Sequence, residues 1–235
     1  MAVGFGEQIH ALSGFDGDSA SASEIGENFD DVTAEWMNSA IREVINQLPL
    51  KLKEKCMTAT GVGTDFKVDL DGLGEILYVT RKNADSGYPT ECRKIPSRHG
   101  GLTTDSTNMF HYATATDPVY WVDGDNSGAA TLYVKPTPTA DQTAILHHIG
   151  YPVFDADGSG TNINIKTAIS IPNFPDEAEY LVVLRAAITA TEYMMLFEED
   201  AEVYAPQLQT LKQDYQQGIA ALRGGMAAPG AGGRQ

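Results

Sequence analysis

Two acidic, glycine-rich runs, DGDNSG (123–128) and DADGSG (155–160), begin as a calcium-binding loop begins. Such a loop needs a carboxylate at its twelfth position to clasp the ion with both oxygens. Counted from Asp123 that position is Val134, and counted from Asp155 it is Lys166, so neither run completes the ligand set. The first reads as a hairpin tip and the second as a loop. GVG (61–63) lacks the third glycine and the following helix of a dinucleotide fingerprint. His147 and His148 are neighbours on a strand-like stretch and point to opposite faces, so they do not share a metal. His10, His99 and His111 have no sequence neighbours that form a cluster. Cys56 and Cys92 match no zinc spacing and no disulfide framework, and neither has the context that lowers a thiol pKa. No GxSxG, HExxH or P-loop pattern occurs. The acids Asp16, Asp18, Glu24, Glu27, Asp30, Asp31 and Glu35 read as a solvated face. The residues thus predict no catalytic centre, no metal and no cofactor.

The 235-residue chain carries a formal charge of −16 with 42% apolar residues. That balance excludes broad electrostatic attraction to nucleic acid and to anionic membranes. It agrees with solubility, and also with a wall past which DNA slides without sticking. Tyr88, Tyr120, Trp121, Tyr133 and Tyr151 are not interleaved with basic residues as base-stacking platforms are, so they read as sheet packing. The start, MAVGFGEQIHALSG, lacks the basic and apolar parts of a secretory signal, and no stretch has the apolar length of a membrane span.

Helix-forming patterns lie at both ends. Trp36, Met37, Ala40, Ile41, Val44, Ile45 and Leu48 recur at three- and four-residue steps, and Pro49 stops that helix. Residues 174–198 are apolar on almost every side: Leu181, Val182, Val183, Leu184, Ala186, Ala187, Ile188, Ala190, Met194, Met195 and Leu196. A helix of this kind must be covered all round. One reading is the central core helix of a single domain. The other is a helix shared between one subunit's core and a subunit interface, with Leu181, Leu184, Ala187, Ile188, Met194, Leu208 and Leu211 in the helical body and its subunit contacts. A one-faced helix follows, with Tyr204, Leu208, Leu211, Tyr215, Ile219 and Leu222 in a stripe and Gly224 and Gly225 as its stop.

Between these helices FKVDL, GEILYVTRK, TECRKIP, DPVYWVDG, AATLYVKPTP and TAILHHIGYP read as strands. PVYWV and ATLYV form the clearest hairpin, with Val119, Trp121, Leu132 and Val134 placed on one face. Residues 105–113 fit a short helix or a loop equally. The predicted fold class is α+β: a helical bundle of N-terminal and C-terminal helices with an inserted antiparallel β lobe. Its parts are a flexible acidic segment (1–29, with a helical turn near Glu7–Leu12), helical body (30–59), β lobe (60–173), helical body (174–223) and flexible tail (224–235).

The succession WMNSAIREVINQLP, ILYVTRK, DPVYWV, TLYVKPTPTA, HHIGYPVF and IPNFPDEAEYLVVLRAAITATEYM resembles the head-to-tail adaptor (neck, or connector) proteins of tailed bacteriophages. The likeness covers roughly residues 30–222. It implies a structural virion protein in the neck, assembled in the host cytoplasm as a homo-oligomeric ring, usually dodecameric. It further implies a portal protein above, a tail, gatekeeper or terminator protein below, and DNA passing through the lumen unread. The tail segment, with Gly224, Met226, Arg234 and Gln235, holds the position from which such proteins reach into the portal. Another virion ring component, such as a tail terminator, gatekeeper or baseplate protein, is a second reading. An enzyme is a third, and the sequence nominates no convergent polar groups for it.

Overall fold

The computed structural model describes residues 3–14, 29–83, 86–124, 130–197 and 201–224. The fold is α+β, and the chain divides into two compact units. One combines residues 1–56 with 151–235, and the other is residues 57–150.

The first unit is helical. Its elements are α1 (Phe5–Ser13), α2 (Phe29–Gln47), α3 (Leu50–Lys53), α4 (Asp176–Phe197) and α5 (Ala201–Gly224). The α2 stripe is buried along Met37, Ile41, Val44, Ile45 and Leu48, as its spacing requires. Helix α4 packs on α1, α2 and α5. Helix α1 takes in and lengthens the helical turn expected near Glu7–Leu12. Phe5 and Ile9, one turn apart, are buried, and the Phe5 ring meets Phe154 edge-on at 5.8 Å. The Phe5 and Gly6 amides donate to the carbonyls of Ala168 and Ile165, so its first turn is satisfied by the 165–168 loop. A Cβ on Gly4 would collide with the Lys166 carbonyl, which explains a glycine at this entry. With two large apolar residues on its inner face, so short a helix leaves a weak periodic signal.

This unit also contains the short parallel pair β9 (Phe154–Asp155) and β10 (Ile163–Asn164). Asn38 clamps it from α2: its amide donates to the Phe154 carbonyl at 2.9 Å and its oxygen accepts from the Phe154 N–H at 2.7 Å.

The second unit holds two four-stranded sheets. One has the order β1-β8-β3-β4, built from β1 (Met57–Val62), β3 (Ile76–Lys82), β4 (Pro89–Glu91) and β8 (Ala144–Ile149). The other has the order β2-β7-β6-β5, from β2 (Lys67–Asp69), β5 (Arg93–Lys94), β6 (Val119–Gly124) and β7 (Ala130–Lys135). All pairings within them are antiparallel except the two-residue contact of β5 with β6. Val62, Val79, Ala144 and Leu146 from the first sheet share a core with Tyr120, Leu132 and Val134 from the second, which makes a sandwich.

The hairpin register corrects the face expected for its apolar residues. Tyr120 lies opposite Val134 and Trp121 opposite Tyr133. Leu132 and Val134 therefore point into the sandwich with Tyr120, whereas Val119 and Trp121 point the other way, against Ile95 and Ala113. Both faces are covered, so apolar alternation does not fix this register. The strand β1 lies across a stretch without a strand signal in the sequence. Residues 105–113 form successive turns rather than a helix.

Candidate functional site

The acidic loop 155–160 is closed by its own first residue. The Asp155 carboxylate accepts from the amides of Asp157, Gly158 and Ser159, from the Ser159 hydroxyl at 2.6 Å and from Asn162 at 3.1 Å. These donors, the Ser159 hydroxyl first, hold its pKa down at about 2. The donors take the place a cation would have, and the loop reading holds. For DGDNSG, residues 125–128 lie outside the described residues. No group of three or more His, Cys, Asp or Glu side chains could hold a metal among the described residues.

His147 and His148 face opposite ways, as expected. His147 stacks on Tyr78 at 4.3 Å, and His148 bonds Thr60 at 3.0 Å on the core side. The fold does bring His99 and His111 together, with ring centroids 4.2 Å apart, a pairing that their separation in the chain conceals. Burial, followed by the neighbouring His111 and Arg98, lowers the His99 pKa. Cys56 and Cys92 are free, buried thiols, pushed by burial up to about 11 and about 12. They are protonated and inert at neutral pH.

The described helices of this unit share an extended polar network. Arg185 Nε donates to Glu43 at 2.6 Å, and Gln47 donates to Glu43 and to the Tyr215 hydroxyl. Arg223 donates to the Gln47 carbonyl at 3.2–3.3 Å and so caps the negative end of α2. Burial and the Glu43 charge push the Tyr215 phenol up to about 12. A groove of about 480 Å³ runs beside it, lined by Gln47, Tyr215, Ile219 and Arg223. These groups satisfy one another and converge on no empty reacting position. In the β unit, Arg81 is buried and donates to Gln142 at 2.6 Å, which anchors the 136–142 loop. Trp121 and Tyr133 stack at 5.3 Å, Phe66 follows at 6.0 Å, and Lys135 Nζ sits 3.9 Å from the Phe66 ring centroid. Of the aromatics expected as sheet packing, Trp121 and Tyr133 stack on each other and Tyr120 is buried in the sandwich core, whereas Tyr88 is 75% exposed, which corrects the expectation for that residue.

Leu181, Leu184, Ala187, Ile188, Met194 and Leu211 are all buried within the single chain, and Leu208 is half-buried. These positions sit as the core-helix reading expects, while Leu196 and Tyr180 of the same helix are 78% and 51% exposed. The cover comes from α1, α2 and α5, and Gly218 lets α5 close on Tyr180 and Leu181. Gly224 is the last residue of α5, while Met226, Arg234 and Gln235 lie outside the described residues.

What does face solvent is different. Met109 is 91% and Phe110 83% exposed. They stand on turns fixed by Asp105, which accepts from Thr107, and by Asn108, which accepts from the His111 amide. Ala113 N–H to Thr103 O closes the loop at 2.9 Å. Two large adjacent apolar side chains held out in this way make an exposed apolar patch. No described helix is long and apolar enough to cross a membrane.

No curated protein matches the chain. A family model described as SU10 adaptor protein matches residues 17–234, which takes in both units and nearly all the described elements. The chain therefore belongs to the SU10 adaptor protein family, whose members are structural adaptors of bacteriophages, and it is a virion component.

Proposed function

We propose that the protein is a head-to-tail adaptor that forms a ring between the portal and the tail, with DNA passing through its lumen. The observation that carries this reading is the family match over 17–234. The surface supports it: a charge of −16 resists adhesion to DNA, while Met109 and Phe110 offer apolar contact. The chain acts through contacts and has no turnover. Its copies pack side by side, usually twelve, docked to the portal through the segment that follows Gly224. A tail, gatekeeper or terminator protein joins below. Acids of residues 176–202 or of the loops line the channel, among them Asp176, Glu177 and Glu202.

The test is an image of the purified particle's neck with this subunit labelled, joined to the mass of the portal-bound assembly. A ring of copies between portal and tail is expected. A chain found elsewhere in the particle, or one that joins no ring with portal present, overturns the reading. Reversal of several channel acids to Lys is expected to slow DNA passage, and unchanged passage removes the lumen assignment.

A further inference from the structure

The edges of the two four-stranded sheets are not alike. β4 is three residues long and holds Pro89 and Glu91. β2, also three residues, holds Lys67 and Asp69, and β5 is Arg93 and Lys94 alone. Brevity, proline and charge are the devices that keep an edge from recruiting a further strand. The fourth edge, β1, has none of them. Its six residues, MTATGV, carry no charge and no proline, and it pairs with β8 alone.

The register identifies its unsatisfied groups. The Ile149 amide donates to Glu75 at 2.9 Å and its carbonyl accepts from Gly74 at 3.1 Å, so the Ile149 backbone is turned toward β3 and the segment preceding it. Alternation then turns His148, Leu146 and Ala144 toward β1, opposite Thr58, Thr60 and Val62. Met57, Ala59 and Gly61 are left with N–H and C=O directed away from the sheet, and these groups have no backbone partner among the described residues. All three residues are exposed, and a Cβ on Gly61 would meet nothing within 4 Å. The sheet face beside this edge is uncharged as well, with Met57, Ile145, Tyr78 and His147 on it.

We propose that β1 is a docking edge to which an extended, uncharged segment of a different virion polypeptide adds as a further strand. Backbone bonds to Met57, Ala59 and Gly61 supply the affinity, and the neutral flank selects the segment. A second copy of this chain is a poor occupant. Its other edges are blocked, and pairing of β1 with β1 closes a two-fold dimer rather than the head-to-tail contacts of a ring. Its 225–235 run, GMAAPGAGGRQ, is rich in Gly and holds Pro229, and makes a poor strand. The identity of the occupant as a virion protein rests on the adaptor reading above.

Hydrogen–deuterium exchange of the purified particle against the free chain tests the edge. The outward amides of Met57, Ala59 and Gly61 are expected to exchange freely in the free chain and about tenfold or more slower in the particle. Equal exchange in both overturns the proposal. Ala59→Pro removes one outward amide and leaves the ladder groups of Thr58 and Thr60 in place. It is expected to fold and to lose joining to the partner. Ala59→Lys, which keeps the amide and adds a charge beside the docked strand, is expected to weaken joining and covers the case in which the proline variant does not fold. A folded variant that joins as well as the wild type overturns the proposal. A photoreactive residue at Met57 identifies the occupant: a cross-link to another virion protein supports the assignment, and a cross-link to a second copy, or none, overturns it. Ring mass is read separately. A chain absent from the neck sinks the adaptor reading, whereas an intact ring with an unaltered edge sinks the docking strand alone.

Discussion

The helical unit and the β unit reverse what their compositions suggest. Helix α4 is the most apolar stretch of the chain, and one protomer encloses most of it, including Leu181, Leu184, Ala187, Ile188 and Met194. Strand β1 is among the blandest, and it stands at a sheet edge with backbone groups unmet. Hydrophobicity reports what must be covered, and a chain with enough helices supplies that cover itself. Unsatisfied backbone polar groups and large apolar side chains held in water report what remains available to a partner. The places to look for contacts in this adaptor are therefore the β1 edge and the Met109–Phe110 loop rather than the enclosed positions of the apolar helix.

The sharpest way to break this contrast lies within α4. Leu181 is 0% exposed and Leu196 is 78% exposed. If one chain closes the helix, Leu181→Ala costs about 2–5 kcal/mol in urea unfolding, while Leu196→Ala stays within about 0.5 kcal/mol. A Leu181→Ala loss that appears only in the assembled state would restore the subunit interface as the source of cover.

A second test concerns the seam that makes self-closure possible. A Cβ on Gly218 would overlap the Tyr180 hydroxyl and a methyl of Leu181. The Tyr180 ring end is exposed enough to swing away, but Leu181 is enclosed. Gly218→Ala is expected to destabilise by about 1–3 kcal/mol, the usual cost of overpacking, less any gain in helix propensity. Thermal melting of the free protein measures it. An unchanged melting temperature would mean that α5 does not approach α4 as closely as this packing requires.

The units also differed in how far the sequence reveals them. In α2 and α5 the three- and four-residue steps of Ile41, Val44, Ile45 and of Leu211, Tyr215, Ile219 impose a buried stripe that the structure keeps. Strands β3, β6, β7 and β8 are legible from Val, Ile, Tyr and Trp content. β1 is not, because a half-exposed edge strand of Thr, Ala and Gly needs no apolar alternation, and its place is set by pairing with β8 far along the chain. The same holds for α1, whose two anchors are meaningful only once Phe154 and the 165–168 loop lie beneath them. The candidate residues of α4 are legible as core, but composition does not say whose core. The His99–His111 and Trp121–Tyr133 pairs depend on loop closure and register, which neighbouring residues do not encode.

A third test separates packing from loop chemistry inside the helical unit. The Asp155 carboxylate, held at about 2 by its hydroxyl and amide donors, has a folded pKa below its unfolded value. Its stabilisation is therefore complete above the unfolded pKa, near about pH 4, and is lost as pH falls toward 2. Asp155→Asn removes the charge and some of the acceptors. The expected result is a lower melting temperature at pH 5–7 and a gap to the wild type that narrows steadily below about pH 4. A gap independent of pH would assign the effect to side-chain shape instead of to the carboxylate.

The smallest effect on folding belongs to the most exposed apolar site, and its smallness is the point. The Phe110 side chain lies in water, while the turns beneath it are held by Asp105, Asn108 and the Thr103–Ala113 bond, none of which involves the ring. Phe110→Ser is expected to change unfolding free energy by no more than about 0.5 kcal/mol. If the ring serves contact between virion proteins, the same variant lowers incorporation of the protein into particles, measured by competition between wild-type and variant chains in one assembly reaction. Equal incorporation would remove Phe110 from the contact surface and leave the β1 edge as the feature that distinguishes the β unit from the closed helical one. A large loss of stability would mean that the ring belongs to the core of its own chain, and the contrast between the units would then fail at the position where it is most pronounced.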